Sequence, residues 1–377
     1  MECGYFQAGL CRSCTWIERP YAQQIADKQA ACQAALPTIA SVLWDAPVLS
    51  AEIGFRNKAK MVVGGSVEQP VLGITDARGQ AVDLSACALY PSGLRAAFAP
   101  LREFISQAGL EPYNVVERRG ELKFVLLTHA EHSGELVLRF VLRSRQPLAA
   151  LQAHLPALYA ALPGLAVASV NLQPVHQAIL EGEEEIILSA RTTLAMSLNG
   201  MTLYLRPRSF FQTNTQVAAA LYRTAREWVA ELAPVSAWDL FCGVGGFALH
   251  LAPVVRGQVV GIEVSTEAIA SAQQSALELG VSNAQFRALS ADAFALGQRA
   301  APELAVVNPP RRGLGTDLCV RLQASTARWV LYSSCNPQTL AQDLARMPDF
   351  VPLRAQLFDM FPHTAHGEVL VLLARRL

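Results

Sequence analysis

The sequence predicts an α/β protein in which a doubly wound C-terminal domain follows a strand-rich central domain and a short cysteine-rich N-terminus. Three observations predict it. From about residue 195 onward, short apolar runs alternate with amphipathic helical stretches, the pattern of a parallel sheet with helices on both faces. One such run, 237–241, opens into Cys242-Gly243-Val244-Gly245-Gly246, a glycine turn at the carboxyl end of a buried strand. Residues 50–190 instead carry apolar runs of strand length broken by glycine-containing turns.

The elements follow in order. Residues 21–36 read as a helix stopped at Pro37. Residues 60–63 and 71–74 are strand-like and flank a Gly64-Gly65 turn region. Residues 122–128 and 135–143 form a hairpin around His132-Ser133-Gly134, 148–162 a helix and 167–172 a strand. Asn214 is placed to cap a helix over 215–232 that closes at Pro234, and Ser265 to cap another that ends at Gly280. Strands are expected at 237–241, 259–263, 304–307, 329–332, 353–359 and 368–373. The pattern gives three segments: 1–48, 49–194 and 195–377.

The 377 residues carry 31 basic and 31 acidic side chains, a formal net charge of zero. That excludes a surface coated in positive charge and leaves room for a local basic groove. No run of about 18 apolar residues appears. The start Met1-Glu2-Cys3-Gly4 lacks the charged and apolar regions of a secretory leader. The expectation is a cytoplasmic monomer with no membrane association and no obligate protein partner. Its eight cysteines would be reduced or metal-bound rather than paired.

The glycines of Gly243-Val244-Gly245-Gly246 allow positive φ and close approach of a ligand to the backbone. Glu263 ends the next strand, where a carboxylate can accept hydrogen bonds from both ribose hydroxyls. The loop is not the G-x-G-x-x-G of nicotinamide enzymes, and Asp239 before it suits a cofactor with an ammonium group better than one with a pyrophosphate.

Three later motifs carry chemistry. In Asn308-Pro309-Pro310-Arg311-Arg312-Gly313 the prolines stiffen a loop beyond a strand, and Asn308 can hydrogen-bond a cofactor or a base edge. Arg311 stands where enzymes that methylate exocyclic amines often carry an aromatic residue. Ser333-Ser334-Cys335-Asn336-Pro337 sets a cysteine beyond another strand in polar surroundings, unlike a buried structural thiol. Phe361-Pro362-His363-Thr364-Ala365-His366-Gly367-Glu368 brings two histidines and a carboxylate, read as a base and positioning network in preference to a metal site. At the N-terminus Cys3, Cys11 and Cys14, with Cys87, could hold a [4Fe–4S] cluster or a zinc ion, and spacing does not choose between them.

These motifs, with Ser209-Phe210-Phe211-Gln212-Thr213-Asn214, occur in the order of the RNA (uracil-C5)-methyltransferases, which the whole chain resembles. The resemblance implies a Rossmann-like domain that uses S-adenosyl-L-methionine. It implies Cys335 as nucleophile and Glu368 as the base that removes the C5 proton. Gln212, Phe241, Gly243, Glu263 and Asn308 would contact or shape the cofactor site. The N-terminal cysteines place the likeness in a ribosomal branch, which implies a uridine of 23S rRNA as substrate and a [4Fe–4S] cluster on Cys3, Cys11, Cys14 and Cys87. Asn308 departs from the family, where many members have aspartate.

The central domain would grip RNA, with Phe55-Arg56-Asn57-Lys58-Ala59-Lys60, Arg118, Arg119, Lys123, Arg206 and Arg208 as candidate contacts. The rival readings are a tRNA uridine methyltransferase, an exocyclic-amine methyltransferase and an inactive iron–sulfur RNA-binding protein.

Overall fold

In the computed structural model, Asn214 and Ser265 each lie in extended backbone ahead of a helix. Asn214 Oδ1 accepts from Val217 N at 3.2 Å and Ser265 Oγ from Ala268 N at 3.2 Å, starting the helices Thr215–Leu232 and Thr266–Glu278. The structure describes residues 1–76, 78–177, 179–297 and 301–376. By their internal contacts they divide into two units: 1–14 with 52–196, and 15–51 with 197–377. The first 51 residues therefore split after Cys14 between the two.

The first unit is built on a seven-stranded sheet: β1 (Lys58–Gly65), β2 (Pro70–Thr75), β3 (Ala81–Asp83), β4 (Leu122–Ala130), β5 (Glu135–Leu142), β6 (Leu165–Leu172) and β7 (Glu184–Ile187), in the spatial order β3-β2-β1-β4-β5-β6-β7. Neighbours are antiparallel except β5 and β6, which are parallel and joined through the helix Leu148–Ala161. The β1–β2 turn needs its glycine. Gly65 has φ +77°, and a Cβ there would stand 2.3 Å from the Gln69 carbonyl oxygen. Phe98, Leu101, Phe104 and Ile105 of the helix Phe98–Gln107 pack with Met61, Leu72, Phe140 and Leu151 into the core.

A small hairpin, β8 (Leu194–Leu198) and β9 (Met201–Leu205), contains the division between the units. The second unit holds β10 (Ala237–Leu240), β11 (Val259–Glu263), β12 (Ala284–Ala288), β13 (Leu304–Val307), β14 (Trp329–Ser334), β15 (Phe350–Phe358) and β16 (Glu368–Arg375). Their order is β12-β11-β10-β13-β14-β16-β15. The first five are parallel, and β16 runs antiparallel to both β14 and β15. β10, first in sequence, lies between β11 and β13, so the connections depart to opposite sides at its carboxyl end. Such a switch point is where an open α/β sheet binds its ligand. The helix Tyr21–Ala35 also belongs to this unit.

Candidate active site

The loop after β10 carries the backbone strain expected of a ligand cradle. Phe241 has φ +69°, rare for a residue with a side chain, and Gly243 and Gly245 follow at +53° and +85°. A Cβ on Gly245 would lie 3.0 Å from the Phe286 ring, so both conformation and space require glycine. Glu263 is tied to this loop: its carboxylate accepts from Gly243 N at 3.2 Å and from Ser265 N at 3.0 Å. At the neighbouring strand end Asn308 N donates to Leu240 O at 3.4 Å. Gln212 is buried two residues before the Asn214 cap. Four of the sequence-predicted cofactor residues thus meet at the ends of β10, β11 and β13.

Asp239 is fully buried. Its Oδ2 accepts from Ala248 N at 2.8 Å, while Oδ1 has no hydrogen-bond partner. Burial first, and the charge of Glu263 in addition, push the carboxyl up to about 7. A buried carboxylate with an unsatisfied oxygen beside a glycine turn fits the ammonium group of S-adenosyl-L-methionine.

Cys335 follows the last residue of β14, and Glu368 begins β16. Ser333 pairs with Leu370 and Ser334 with Val369, so Cys335 and Glu368 each lie one residue beyond the last of these pairs, at the adjoining ends of β14 and β16. Burial pushes the Cys335 thiol up and the charge of Glu368 adds to this. The guanidinium of Arg311, hydrogen-bonded to the thiol, pulls it down. Arg311 is itself fixed, its carbonyl accepting from Asn336 Nδ2 at 3.1 Å and Thr339 Oγ1 at 3.2 Å. Glu368 is 3% exposed, and burial raises its carboxyl to about 7 although a hydrogen bond from Ser333 opposes the shift. The arrangement joins a half-buried thiol, a cation beside it and a carboxyl poised to exchange a proton near neutral pH.

The histidines divide. His363 is wholly buried with φ +63°. Its N–H donates to Gln24 Oε1 at 2.8 Å, its carbonyl accepts from Trp16 N at 2.9 Å, and its Nδ1 lies 3.3 Å from Gln24 Nε2. His366 is exposed. His363 thus shapes the loop that delivers Glu368, in line with a positioning role.

Cys3, Cys11, Cys14 and Cys87 all fall in the first unit, on chain segments more than 70 positions apart in sequence. Cys14 is pushed up to about 12, by burial first and then by the charges of Cys87, Cys11 and Cys3. Cys87 likewise feels Cys11 and Cys3. The four thiols are electrostatic neighbours. Among the described residues, however, no three His, Cys, Asp or Glu side chains are grouped as a single metal ion requires.

Some expected RNA contacts lie inside the first unit. Phe55 and Asn57 are buried. Lys123 donates to Gln173 Oε1 and to the Val175 carbonyl at 2.8 Å, and lies over the Tyr113 ring, so it is committed to the interior. Lys60, Arg118, Arg119 and Arg208 are exposed. Reasoning from sequence missed Ser333 as the donor to Glu368, Arg311 as the cation on Cys335, and Gln24 and Lys28 as supports. Arg311 and Ser333 lay within quoted motifs, whereas nothing local linked residues 24 and 28 to 359–363.

Fold and site together define a class: this is an S-adenosylmethionine-dependent methyltransferase. The solved tRNA (uracil-54, C5)-methyltransferase of Pyrococcus abyssi, in complex with S-adenosyl-L-homocysteine, has the same fold. It matches with a TM-score of 0.79 and 24% identity over 96% of this chain and 85% of its own. A family model described as tRNA (Uracil-5-)-methyltransferase matches residues 189–376. A protein of Halothiobacillus neapolitanus named 23S rRNA (uracil(747)-C(5))-methyltransferase RlmC is 57% identical over the whole of both chains. Proteins of the same name from Yersinia enterocolitica and Yersinia pestis are 54% identical, again over both full lengths. The chain belongs to the tRNA (uracil-5-)-methyltransferase family and is an enzyme of uracil C5 methylation.

Proposed function

We propose that the chain methylates C5 of uridine 747 in 23S rRNA. The target rests on full-length identity of 54–57% to relatives named for that reaction. The mechanism rests on one observation: Cys335 and the buried Glu368 each lie one residue beyond the paired Ser334 and Val369, at the adjoining ends of β14 and β16.

C5 of uracil is a weak nucleophile. The Cys335 thiolate adds to C6, and the C5=C6 electrons move toward the C4 carbonyl, which makes C5 nucleophilic. C5 takes the electrophilic methyl group that S-adenosyl-L-methionine supplies when bound, and the S–CH3 electron pair leaves on S-adenosyl-L-homocysteine. Glu368 then takes the C5 proton, the C5=C6 bond re-forms and Cys335 leaves as thiolate. Arg311 stabilises the thiolate before addition and after departure. Gln212, Phe241, Gly243, Glu263 and Asn308 shape the cofactor site, with Asp239 Oδ1 receiving its ammonium group. As an amide, Asn308 can both donate and accept where aspartate would only accept.

Cys3, Cys11, Cys14 and Cys87 hold a [4Fe–4S] cluster in this reading. Support for this assignment is the motif resemblance alone, since among the described residues no three such side chains are grouped to hold a metal ion. Held there, a cluster would fasten residues 1–14 to the segment that carries Cys87 and would supply no step of methyl transfer. The strand-rich unit, 52–196 with residues 1–14, presents Lys60, Arg118 and Arg119 to phosphates, and 197–377 with residues 15–51 performs the chemistry. The enzyme acts in the cytoplasm as a monomer without an obligate protein partner. Among the described residues no helix is long and apolar enough to cross a membrane.

Trapping with 23S rRNA containing 5-fluorouridine tests the covalent route. Fluorine cannot be removed as a proton, so the wild type should remain attached to RNA through denaturation and Cys335→Ala should not. Complete release of the wild type would contradict the mechanism.

A further inference from the structure

Ser333 occupies an interior position of the sheet where an apolar side chain would pack as well. It is 0% exposed, yet its Oγ donates to Glu368 Oε1 at 2.5 Å. Cys335 follows two residues later, just beyond the end of β14. Ser333 is opposite Leu370, which places Glu368 diagonally across on the same face as Ser333. The donor to the carboxyl that must later release the thiol thus sits in the strand two residues before that thiol.

We propose that Ser333 is a positioning residue of the reaction: its hydroxyl anchors Oε1 of Glu368 and leaves Oε2 as the oxygen that takes the C5 proton. This inference rests on the assignment of Glu368 as the base. In the step concerned the C5–H bond breaks and its proton passes to Oε2. The C–H electron pair forms C5=C6, the C6–S bond breaks, and its pair leaves on Cys335. No further reactant is needed. A carboxyl this deeply buried favours its neutral acid form, which cannot accept a proton, and a donated hydrogen bond favours the carboxylate. Without Ser333 the carboxyl loses both its anchor and the contact that keeps it charged near neutral pH.

The test uses the full-length enzyme with S-adenosyl-L-methionine and unmodified 23S rRNA. The pH profile of kcat, KM for RNA, cofactor affinity and the fraction of RNA held covalently in denaturant are measured for wild type, Ser333→Ala, Ser333→Thr and Glu368→Gln. Ser333→Ala should lower kcat about fivefold at pH 7, because a rise of about one unit from a carboxyl near 7 cuts its charged fraction from about a half to about a tenth. Its acid limb should move to higher pH, the methylated adduct should accumulate, and KM and cofactor affinity should stay unchanged. Ser333→Thr, which keeps the hydroxyl, should restore the wild-type profile. Ser333→Ala with a wild-type profile beside an inactive Glu368→Gln would overturn the inference alone. Glu368→Gln turning over like wild type would overturn the base assignment and the inference together. A loss in Ser333→Ala that moves cofactor affinity equally and is not restored by threonine would show a structural role only, and would also overturn it.

Discussion

Lys28 Nζ lies 2.5 Å from Asp359 Oδ1 with both side chains at 1% exposure or less, joining a helix near the start of the chain to the loop that leads into β16. The pair is well supplied. Tyr21 donates to Asp359 Oδ2 at 2.8 Å, and Lys28 also donates to the Phe361 carbonyl at 3.0 Å. With Gln24 on His363, the helix Tyr21–Ala35 grips this loop at several points, and Glu368 follows a few residues later.

Removing the cation should be costly. Lys28→Met leaves Asp359 charged and buried, and should destabilise the protein by about 3–5 kcal/mol in urea unfolding. Lys28→Met with Asp359→Asn removes the orphaned charge and should recover much of that loss. Equal losses in the single and double variants would contradict the pairing.

Asp239 and Glu368 both have carboxyls raised by burial to about 7, from ordinary values of 3.8 and 4.5. Between those limits the native state holds protons that the unfolded chain has released. Their contribution to stability therefore falls as pH rises from about 4 to about 7, and the penalty is complete above that. Glu368→Gln should be more stable than wild type at pH 8 by about 3 kcal/mol, with a flatter profile across the window. Thermal unfolding over pH checks this, and an unchanged profile would contradict it.

Asp239→Asn keeps the shape of the side chain and removes the charge offered to an ammonium group. It should weaken binding of S-adenosyl-L-homocysteine about tenfold by calorimetry, the scale of one charge-assisted hydrogen bond. Undiminished affinity would move the ammonium site elsewhere.

Arg311 and Glu368 pull the Cys335 thiol in opposite directions. Arg311→Gln should move alkylation of Cys335 by iodoacetamide to higher pH, and Glu368→Gln should move it to lower pH. The Cys335→Ala protein supplies the background from the other cysteines. Shifts of the same sign in both variants would contradict the arrangement.

Much of the second unit was legible because local signals agree there. Asn214 and Ser265 mark helix starts, and the parallel strands are buried apolar runs, as Leu304–Val307 shows by matching its expected limits. β12 was not legible: it is an edge strand, Ala-Gln-Phe-Arg-Ala, with only Phe286 buried. In the first unit the helix Phe98–Gln107 did carry a signal, since Phe98, Leu101, Phe104 and Ile105 recur at helical spacing, but it lies between strands and was passed over. Cys335, Glu368 and the glycine loop could be singled out because each stands in a short motif beyond a strand. Ser333 on Glu368, Arg311 on Cys335 and Lys28 on Asp359 depend on strand register and long-range packing, which no local pattern encodes.

The most direct measurement is transfer of labelled methyl from S-adenosyl-L-methionine to unmodified 23S rRNA by wild type and Cys335→Ala, with the product nucleoside and its position identified. Wild type should give 5-methyluridine at position 747 and the variant none. Full activity of Cys335→Ala, or methylation of tRNA in place of 23S rRNA by the wild type, would contradict it.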